Sequence, residues 1–319
     1  MAHTQDISIA HTVTKLHDAA TPSQPPILLV FINGLMLPRA LWQPTLSLLP
    51  PLLANSPTSI YALTYDRYGQ GESRKPSPWK AEQHDLSAAA AELESLLCKT
   101  FTTHPDLTPT SRHPTLILIS HSIGVPLARL HNATTAHPAT AHLFLDSNIS
   151  NTDFVSIFPD PDAADFDPAT LPEGTTIDDL RGLRERTKAM FHPSVPNPEG
   201  LNRSTVSALV PHADQPKLRG PIGGGEEGER GAWLTVVGHD PVAFAEEGLR
   251  LQGTPVALNY AYMQPVWDAY NEGLVKLVEE GRAKGVVIAK GAGHFVQRDN
   301  PTCVAEEIVD LVNKVIGKD

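Results

Sequence analysis

Short runs of consecutive apolar residues alternate along this chain with longer segments in which apolar positions recur at helical spacing. The apolar runs are ILLVFI (27–32), SIYALTYD (59–66), TLILIS (115–120), AHLFLD (141–146), TPVALNY (254–260) and GVVIAK (285–290). A strand that is covered on both faces shows this pattern, so each run is predicted to be a strand. Because the segments between them favour helices, the sequence predicts an α/β fold, with a mostly parallel sheet flanked by helices.

The regular alternation stops between about residues 149 and 253, where proline, glycine and acidic residues are frequent. GPIGGGEEGERG is predicted to be a loop. FPDPDAADFDP crowds four aspartates among prolines without the spacing of a calcium loop, and we interpret it as a solvated acidic loop. The sequence therefore predicts one core built from residues 1–148 and 254–319, with a helical cap inserted at 149–253.

Charge and composition exclude several classes of partner. The chain has 25 basic and 36 acidic residues and a net charge of −11, which argues against nucleic acid or an anionic membrane as the main partner. No apolar stretch approaches the ~20 residues that span a bilayer, and the opening residues lack the pattern of a secretory signal. We therefore expect no membrane span and a cytoplasmic location. Cys98 and Cys303 are interpreted as core or half-buried positions without a metal or reactive role.

One serine lies at a predicted strand-to-helix junction, in the stretch SHSIG (120–124). Such a turn can hold a serine oxygen clear of the backbone at the carboxyl edge of a sheet, provided that the flanking side chains are small. Gly124 meets this requirement, and the amide of Ile123 at the start of the helix would point at a developing oxyanion. Ser122 is thus a candidate nucleophile. The alternative is that Ser122 only caps the helix, a role that serine fills well.

Four motifs in this order resemble the α/β-hydrolase family. They are VFINGL (30–35), YDRYGQGES (65–73), SHSIG (120–124) and GAGHFVQRDNP (291–301). The resemblance implies that Ser122 is the nucleophile, that His294 is its general base, and that the amide of Leu35 is a second oxyanion donor beside that of Ile123. The chain departs from the family pattern at Asn33, where histidine is usual, and at Ser120, where glycine is more usual.

The acid that orients His294 is left open between three aspartates. In most of the family it follows the strand that precedes the histidine's strand, but no carboxylate follows TPVALNY until Asp268, which is predicted to lie in the next helix. Asp240, in VVGHDPV, resembles the usual acid loop, yet Asp-Pro also suits a helix N-cap. Asp146 ends the strand after the nucleophile helix, where haloalkane dehalogenases and some lactone hydrolases of the family carry their acid. Asp146 is the preferred candidate.

A serine nucleophile with a histidine base suits acyl transfer, so we expect a hydrolase that cleaves a carboxylic ester or lactone of a small, largely apolar molecule. The reaction needs no metal and no organic cofactor. The alternatives are a ligand-binding receptor with vestigial turnover, and a C–C bond hydrolase or biosynthetic cyclase on the same fold. Candidate substrate-contacting residues are Asn33, Gly34, His121, Phe154, Phe158, Phe191, Trp233, Tyr260, Tyr262, Met263 and Trp267.

Overall fold

Seven strands form one sheet in the computed structural model of the protein, which describes residues 9–20, 24–108, 113–221 and 231–317. The strand order across the sheet is β1-β3-β2-β4-β5-β6-β7; β1 runs antiparallel to β3, and the remaining neighbours are parallel. The strands are β1 (His11–His17), β2 (Ile27–Ile32), β3 (Ile60–Tyr65), β4 (Thr115–His121), β5 (Ala141–Leu145), β6 (Trp233–His239) and β7 (Ala283–Ala289).

Helices connect the parallel strands and cover both faces of the sheet. They are α1 (Gln43–Leu53), α2 (Leu86–Thr103), α3 (Gly124–Thr134), α4 (Ile177–Phe191), α5 (Val206–Leu209), α6 (Pro241–Gln252), α7 (Val256–Leu258), α8 (Gln264–Val275), α9 (Val296–Asp299) and α10 (Pro301–Val315). Short 3-10 turns occur at Arg39–Trp42, Ala81–Gln83, Pro105–Leu107 and Pro168–Thr170, and a π turn at Asn259–Met263 joins α7 to α8.

The central strands are buried on both faces because each face packs against its own set of helices. Every residue of β2, β3 and β5 is buried. One apolar cluster joins the sheet to α2, α3 and α8, and a second joins the opposite face to α1 and α10. This layering is the predicted α/β architecture, and it leaves the carboxyl ends of the strands as the place where a site can open.

The strand predicted at TPVALNY (254–260) is wrong, because this segment is helical over α7 and the following π turn. Only Thr254, Leu258 and Asn259 of the segment are buried, a spacing that suits one face of a helix better than a strand covered on both sides. The place beside β7 in the sheet is taken instead by WLTVVGH, which forms β6.

The position of β6 also corrects the predicted boundary of the cap at 149–253. Since β6 lies inside the sheet at 233–239 and α6 follows it directly, the insertion ends before residue 233. The inserted segment is the chain between β5 and β6, and α4 is its main helix. Within it, Phe158, Leu180 and Leu183 form a separate small apolar cluster with Leu258. Of the predicted loop GPIGGGEEGERG, residues 222–230 lie outside the described part of the chain.

Candidate active site

Ser122 lies in a tight turn between β4 and α3. Its φ of +52° lies in the left-handed region, which a residue with a side chain adopts only when its surroundings enforce it. The Ser122 amide donates to the Leu145 carbonyl of the neighbouring strand (3.1 Å). A Cβ on Gly124 would lie 2.8 Å from the Ile32 carbonyl oxygen, so a glycine is needed for α3 to begin this close to β2. Together these constraints turn the Ser122 hydroxyl outward at the sheet edge.

His294 follows β7 and faces Ser122. Its Nε2 lies 3.1 Å from the Ser122 Oγ, and its Nδ1 lies 2.6 Å from Oδ2 of Asp146. An ionised carboxylate only accepts hydrogen bonds, so Nδ1 carries the proton and the lone pair of Nε2 faces the serine hydroxyl. The His294 main chain is held on both sides: its amide donates to Glu247 Oε2 (2.9 Å), and its carbonyl accepts from His121 Nε2 (2.8 Å).

Asp146 follows β5 and is fully buried. Besides His294, its carboxylate contacts His239, whose Nδ1 lies 2.7 Å from Oδ1. Burial by itself would raise the pKa of Asp146, but the charges and hydrogen bonds of the two histidines outweigh it and hold the pKa well below its ordinary value. The Asp146 carboxylate is therefore ionised in the folded protein at neutral pH.

The two alternative acids lie elsewhere. Asp240 follows β6 and caps α6 by accepting from the Val242 and Ala243 amides (2.9 and 3.4 Å), and its other oxygen accepts from the Gly291 amide (3.0 Å). Asp268 lies on α8, is exposed, and accepts from Gln264 Nε2 (2.9 Å). Neither carboxylate hydrogen-bonds to His294 within the described part of the chain.

Two backbone amides are available beside Ser122. The amides of Leu35 and Ile123 make no hydrogen bond within the described residues, and both residues line the same cavity as Ser122. The loop that carries Leu35 packs closely on the turn that carries Ser122, since a Cβ on Gly34 would lie 2.6 Å from His121 Nδ1. Burial lowers the pKa of His121 to about 3, so this ring is neutral and donates from Nε2 to the His294 carbonyl.

A buried polar network that the sequence did not predict holds the main chain of the Leu35 loop. Arg67 donates to the carbonyls of Asn33 and Gly34 (2.7 and 3.0 Å) and pairs with Glu199 (Nε to Oε1, 2.8 Å). Glu199 belongs to the insertion, is fully buried, and also accepts from the Met36 amide (2.9 Å). Arg67 stands in the YDRYGQGES motif, whereas Glu199 stands in no motif.

Asn33 and Gly34, two of the predicted substrate-contacting residues, do not line the cavity. Asn33 is buried; its Nδ2 donates to the Tyr65 carbonyl (2.9 Å), and its Oδ1 accepts from Trp42 Nε1 (2.7 Å). Asn33 therefore fastens its loop to the sheet, which explains how asparagine can stand where the family usually has histidine.

A cavity of about 300 Å³ opens over Ser122, between the sheet edge and the insertion. Six of the residues predicted to contact substrate line it: His121, Phe154, Phe158, Phe191, Met263 and Trp267. Three predicted aromatic residues do not. Tyr260 is 40% exposed, and Tyr262 packs behind Phe158 (ring centroids 6.4 Å apart). Trp233 begins β6 and stacks with Arg282 (4.3 Å); a seven-residue strand separates it from the active edge by roughly 20 Å.

Most other residues of the cavity wall carry no sequence signal. They come from the Leu35 loop, the insertion, α6, the π turn and the His294 loop, and include Met36, Leu37, Asn148, Leu183, Thr187, Arg203, Phe244, Glu247, Leu251, Asn259 and Phe295. Although several of these residues are polar or charged, most of the exposed area of the wall is apolar, as is usual for a site that takes a small organic molecule.

One group of side chains has the composition of a metal site. Atoms of Glu94, Cys98 and His137 lie within 4.8 Å of one another, and Cys98 is exposed rather than in the core or half-buried as expected. The group lies beyond the carboxyl end of α3, at the opposite end of that helix from Ser122. Glu94 already accepts from His131 Nε2 (2.8 Å) and Thr135 Oγ1 (2.6 Å). A hydrogen-bonded network therefore accounts for the arrangement without an ion.

Helices of the described chain are all too short or too polar to cross a membrane. The alpha/beta hydrolase family model matches residues 29–307. Among solved structures, a peroxisomal alpha-beta-hydrolase from Saccharomyces cerevisiae is similar, with a TM-score of 0.55, 12% identity, and coverage of 99% of this chain and 91% of that chain.

Two other similar structures have lower TM-scores. One is a thermophilic esterase from Thermogutta terrifontis (TM-score 0.48, 16% identity, 96% and 94% coverage). The other is a lipase-esterase related protein from Clostridium acetobutylicum (TM-score 0.47, 14% identity, 95% and 99% coverage). No sequence among the curated proteins matches. Identities this low bear on the fold alone, but the family model spans most of the chain and agrees with the seven-stranded sheet. The chain belongs to the alpha/beta hydrolase family.

Proposed function

We propose that this protein is a serine hydrolase that cleaves a carboxylic ester or a lactone of a small, largely apolar molecule through an acyl-enzyme. The observation that carries the proposal is the unbroken hydrogen-bonded series from Ser122 Oγ to His294 (3.1 Å) and from His294 to Asp146 (2.6 Å). This series opens into a cavity beside the Leu35 and Ile123 amides, which have no hydrogen-bond partner among the described residues. A capping serine would need none of these groups.

The proposed reaction begins with attack of the Ser122 oxygen on the substrate carbonyl while His294 Nε2 accepts the hydroxyl proton. Asp146 stabilises the resulting imidazolium because its carboxylate already accepts from Nδ1. The amides of Leu35 and Ile123 donate to the oxyanion of the tetrahedral intermediate, and α3 begins directly behind it.

Collapse of the intermediate breaks the ester C–O bond, and His294 returns its proton to the departing alcohol. Water then attacks the acyl-enzyme, with His294 again accepting a proton and passing it to the Ser122 oxygen as the acid is released. In a lactone, alcohol and acid are parts of one molecule, so the product is a single hydroxy acid. No step requires a metal or a cofactor.

The cavity wall supports a largely apolar substrate. Phe154, Phe158 and Phe191 from the insertion line the space above Ser122 together with Met263 and Trp267. Burial of an acyl or alcohol group against these rings is favourable at roughly 25 cal/mol per Å² of apolar surface. The wall also carries polar and charged side chains, but most of its exposed area is apolar, which favours an uncharged substrate.

The test compares wild type with Ser122→Ala on p-nitrophenyl esters of increasing acyl length and on simple lactones. We expect kcat to fall by about 10⁴-fold or more in Ser122→Ala, because a serine nucleophile acts as a unit with its base. A serine-directed phosphonate should label wild type alone, detected by intact mass. Stoichiometric ligand binding without turnover in wild type would instead support a receptor and overturn the proposal.

A further inference from the structure

A second histidine shares the Asp146 carboxylate with His294. His239 is the last residue of β6, and its side chain is 1% exposed. Its Nδ1 lies 2.7 Å from Asp146 Oδ1, the oxygen that His294 does not contact, and its Nε2 lies 3.0 Å from Gln264 Oε1. The proposed chemistry makes no use of this buried, titratable ring.

The hydrogen-bond partners of His239 determine where its protons are. Gln264 Nε2 lies 2.9 Å from Asp268 Oδ1. Because an ionised carboxylate only accepts, the NH₂ group of Gln264 must face Asp268, and its amide oxygen must face His239. That oxygen can only accept, so Nε2 of His239 carries a proton. The Asp146 carboxylate demands a proton on Nδ1 for the same reason. A ring with protons on both nitrogens is an imidazolium cation.

The surroundings of the ring favour a cation. Phe244 on α6 stacks against it (3.9 Å between centroids, 15° between planes), and Trp267 on α8 packs at a steep angle to it (5.3 Å, 78°). Aromatic rings attract a cation through their quadrupole. Burial by itself would lower the pKa of His239, but the charge and hydrogen bond of Asp146, the bond to Gln264 and the charge of Asp268 together raise it.

Four titratable groups face His239 from the elements around it. Asp146 ends β5, Asp268 lies on α8, and Asp240 follows His239 directly with its carboxylate turned to α6 and Gly291. His294 contacts the other oxygen of Asp146. Three of these groups are carboxylates, and the fourth must be neutral when it accepts a proton from Ser122.

We propose that His239 is a positioning residue that is held as an imidazolium and sets the pH range in which His294 can act as a base. This inference rests on the proposed hydrolase function. The positive charge of His239 offsets the negative charge of Asp146. The Asp146 carboxylate therefore stabilises the protonated, cationic form of His294 less strongly. His294 therefore stays neutral, and able to accept the Ser122 proton, down to a lower pH than it would beside an uncompensated carboxylate. The hydrogen bond that orients its ring is retained.

The first test is the pH profile of kcat/KM for p-nitrophenyl butyrate in His239→Gln. Glutamine can donate an N–H to Asp146 without carrying a charge. We expect the acid limb of the profile to move to higher pH by about one unit, as removal of one nearby charge in a partly screened site implies. A variant with lower activity but an unmoved acid limb would show a merely structural role and overturn the proposal.

The second test uses an exposed residue, so that folding is not in question. Asp268→Asn removes the carboxylate that fixes the orientation of Gln264, whose amide can then turn and offer its NH₂ group to a neutral His239. The acid limb should move in the same direction as in His239→Gln, but by less. Glu272→Gln is the matched control, since Glu272 is an exposed carboxylate one turn further along α8; it should leave the profile unchanged. Equal pH profiles for wild type, Asp268→Asn and Glu272→Gln would contradict the inference.

The third test reads the charge of His239 directly. In Ser122→Ala protein labelled with ¹⁵N-histidine, one histidine should show both ring nitrogens protonated at pH 7, and His239→Gln should remove that signal. A neutral His239 in this spectrum overturns the inference even if the enzyme turns over esters normally. Conversely, a protein that hydrolyses no ester can still show the cation, so failure of the proposed function and failure of this inference give different results.

Discussion

The sheet edge and the insertion above it contribute to the site in different ways. The sheet edge supplies polar groups that contact one another: Ser122 after β4, Asp146 after β5 and His294 after β7. The insertion supplies mainly aromatic and aliphatic wall, with Phe154 and Phe191 facing the cavity. In the proposed mechanism, the chemistry therefore depends on the strand ends, whereas the fit to a substrate depends on the insertion.

Glu199 is the exception that joins the two regions. It comes from the insertion, yet its carboxylate lies beneath the Leu35 loop, where it pairs with Arg67 and accepts from the Met36 amide. Arg67 in turn holds the carbonyls of residues 33 and 34. The oxyanion donor proposed at Leu35 is thus supported by both regions at once, and the division between them can be tested at this point.

The sharpest test of the sheet edge is Asp146→Asn. An asparagine cannot accept from both histidines through two carboxylate oxygens, so the His294 tautomer that leaves Nε2 free for Ser122 loses its support. We expect kcat on a p-nitrophenyl ester to fall by about 10³–10⁴-fold, measured at the pH optimum of each protein.

Asp240→Asn is the matched control for that substitution. Asp240 also follows a strand and faces the same region, but its oxygens accept from backbone amides of α6 and from Gly291. It should keep kcat within a few-fold of wild type and change stability little, because asparagine caps a helix about as well as aspartate does and only the acceptor for the Gly291 amide is lost. Near-normal turnover in Asp146→Asn together with loss of turnover in Asp240→Asn would show that the acid is Asp240, after β6, and not Asp146, after β5.

A smaller loss of activity should follow from Glu199→Gln, which tests the contact between the insertion and the sheet edge. The substitution leaves the buried Arg67 guanidinium without a counter-charge and weakens the hold on the Met36 amide. We expect the free energy of unfolding to fall by about 3 kcal/mol and kcat to fall by about tenfold, with little change in KM.

Glu185→Gln serves as the control, because Glu185 is an exposed carboxylate of the same insertion, on α4. It should leave both the urea midpoint and kcat near those of wild type. If Glu199→Gln lowers stability but leaves kcat untouched, the insertion has no part in holding the oxyanion loop.

The smallest effect is expected from the wall of the cavity. Phe191→Ala removes a ring that lines the cavity beside Phe154 and should make room for a longer acyl chain. We expect the ratio of kcat/KM for the octanoate over the butyrate ester to rise by about three- to tenfold. Tyr260→Ala, on an exposed aromatic residue outside the cavity, should leave this ratio unchanged. A changed ratio in both variants would show that the effect does not come from the cavity.

Local sequence was sufficient to predict an element wherever one short stretch contains all the residues that determine it. The apolar runs of β2, β4 and β5 are buried on both faces in the order predicted, and the α/β fold is confirmed. Prediction was wrong at TPVALNY because periodicity in a short apolar run does not distinguish a strand from a buried helix. The run WLTVVGH, which forms β6, is also apolar. It was not predicted as a strand because it lies within residues 149–253, where frequent proline and glycine indicate a cap.

The sequence by itself determined which residues end the central strands, since continuous apolar runs and the Ser-x-Gly turn are local features. It therefore also placed Ser122 at the carboxyl edge, whereas His294 was distinguished from the other histidines by the resemblance of its loop to the family motif. Only the tertiary structure decided which of three aspartates meets His294, that His239 and Gln264 continue the hydrogen bonds beyond Asp146, and that Glu199 supports the Leu35 loop. The contact between His239 and Gln264 spans 25 positions, and the others join residues that are 93 to 163 positions apart. The packing of separate elements, rather than any local pattern, brings all of them together.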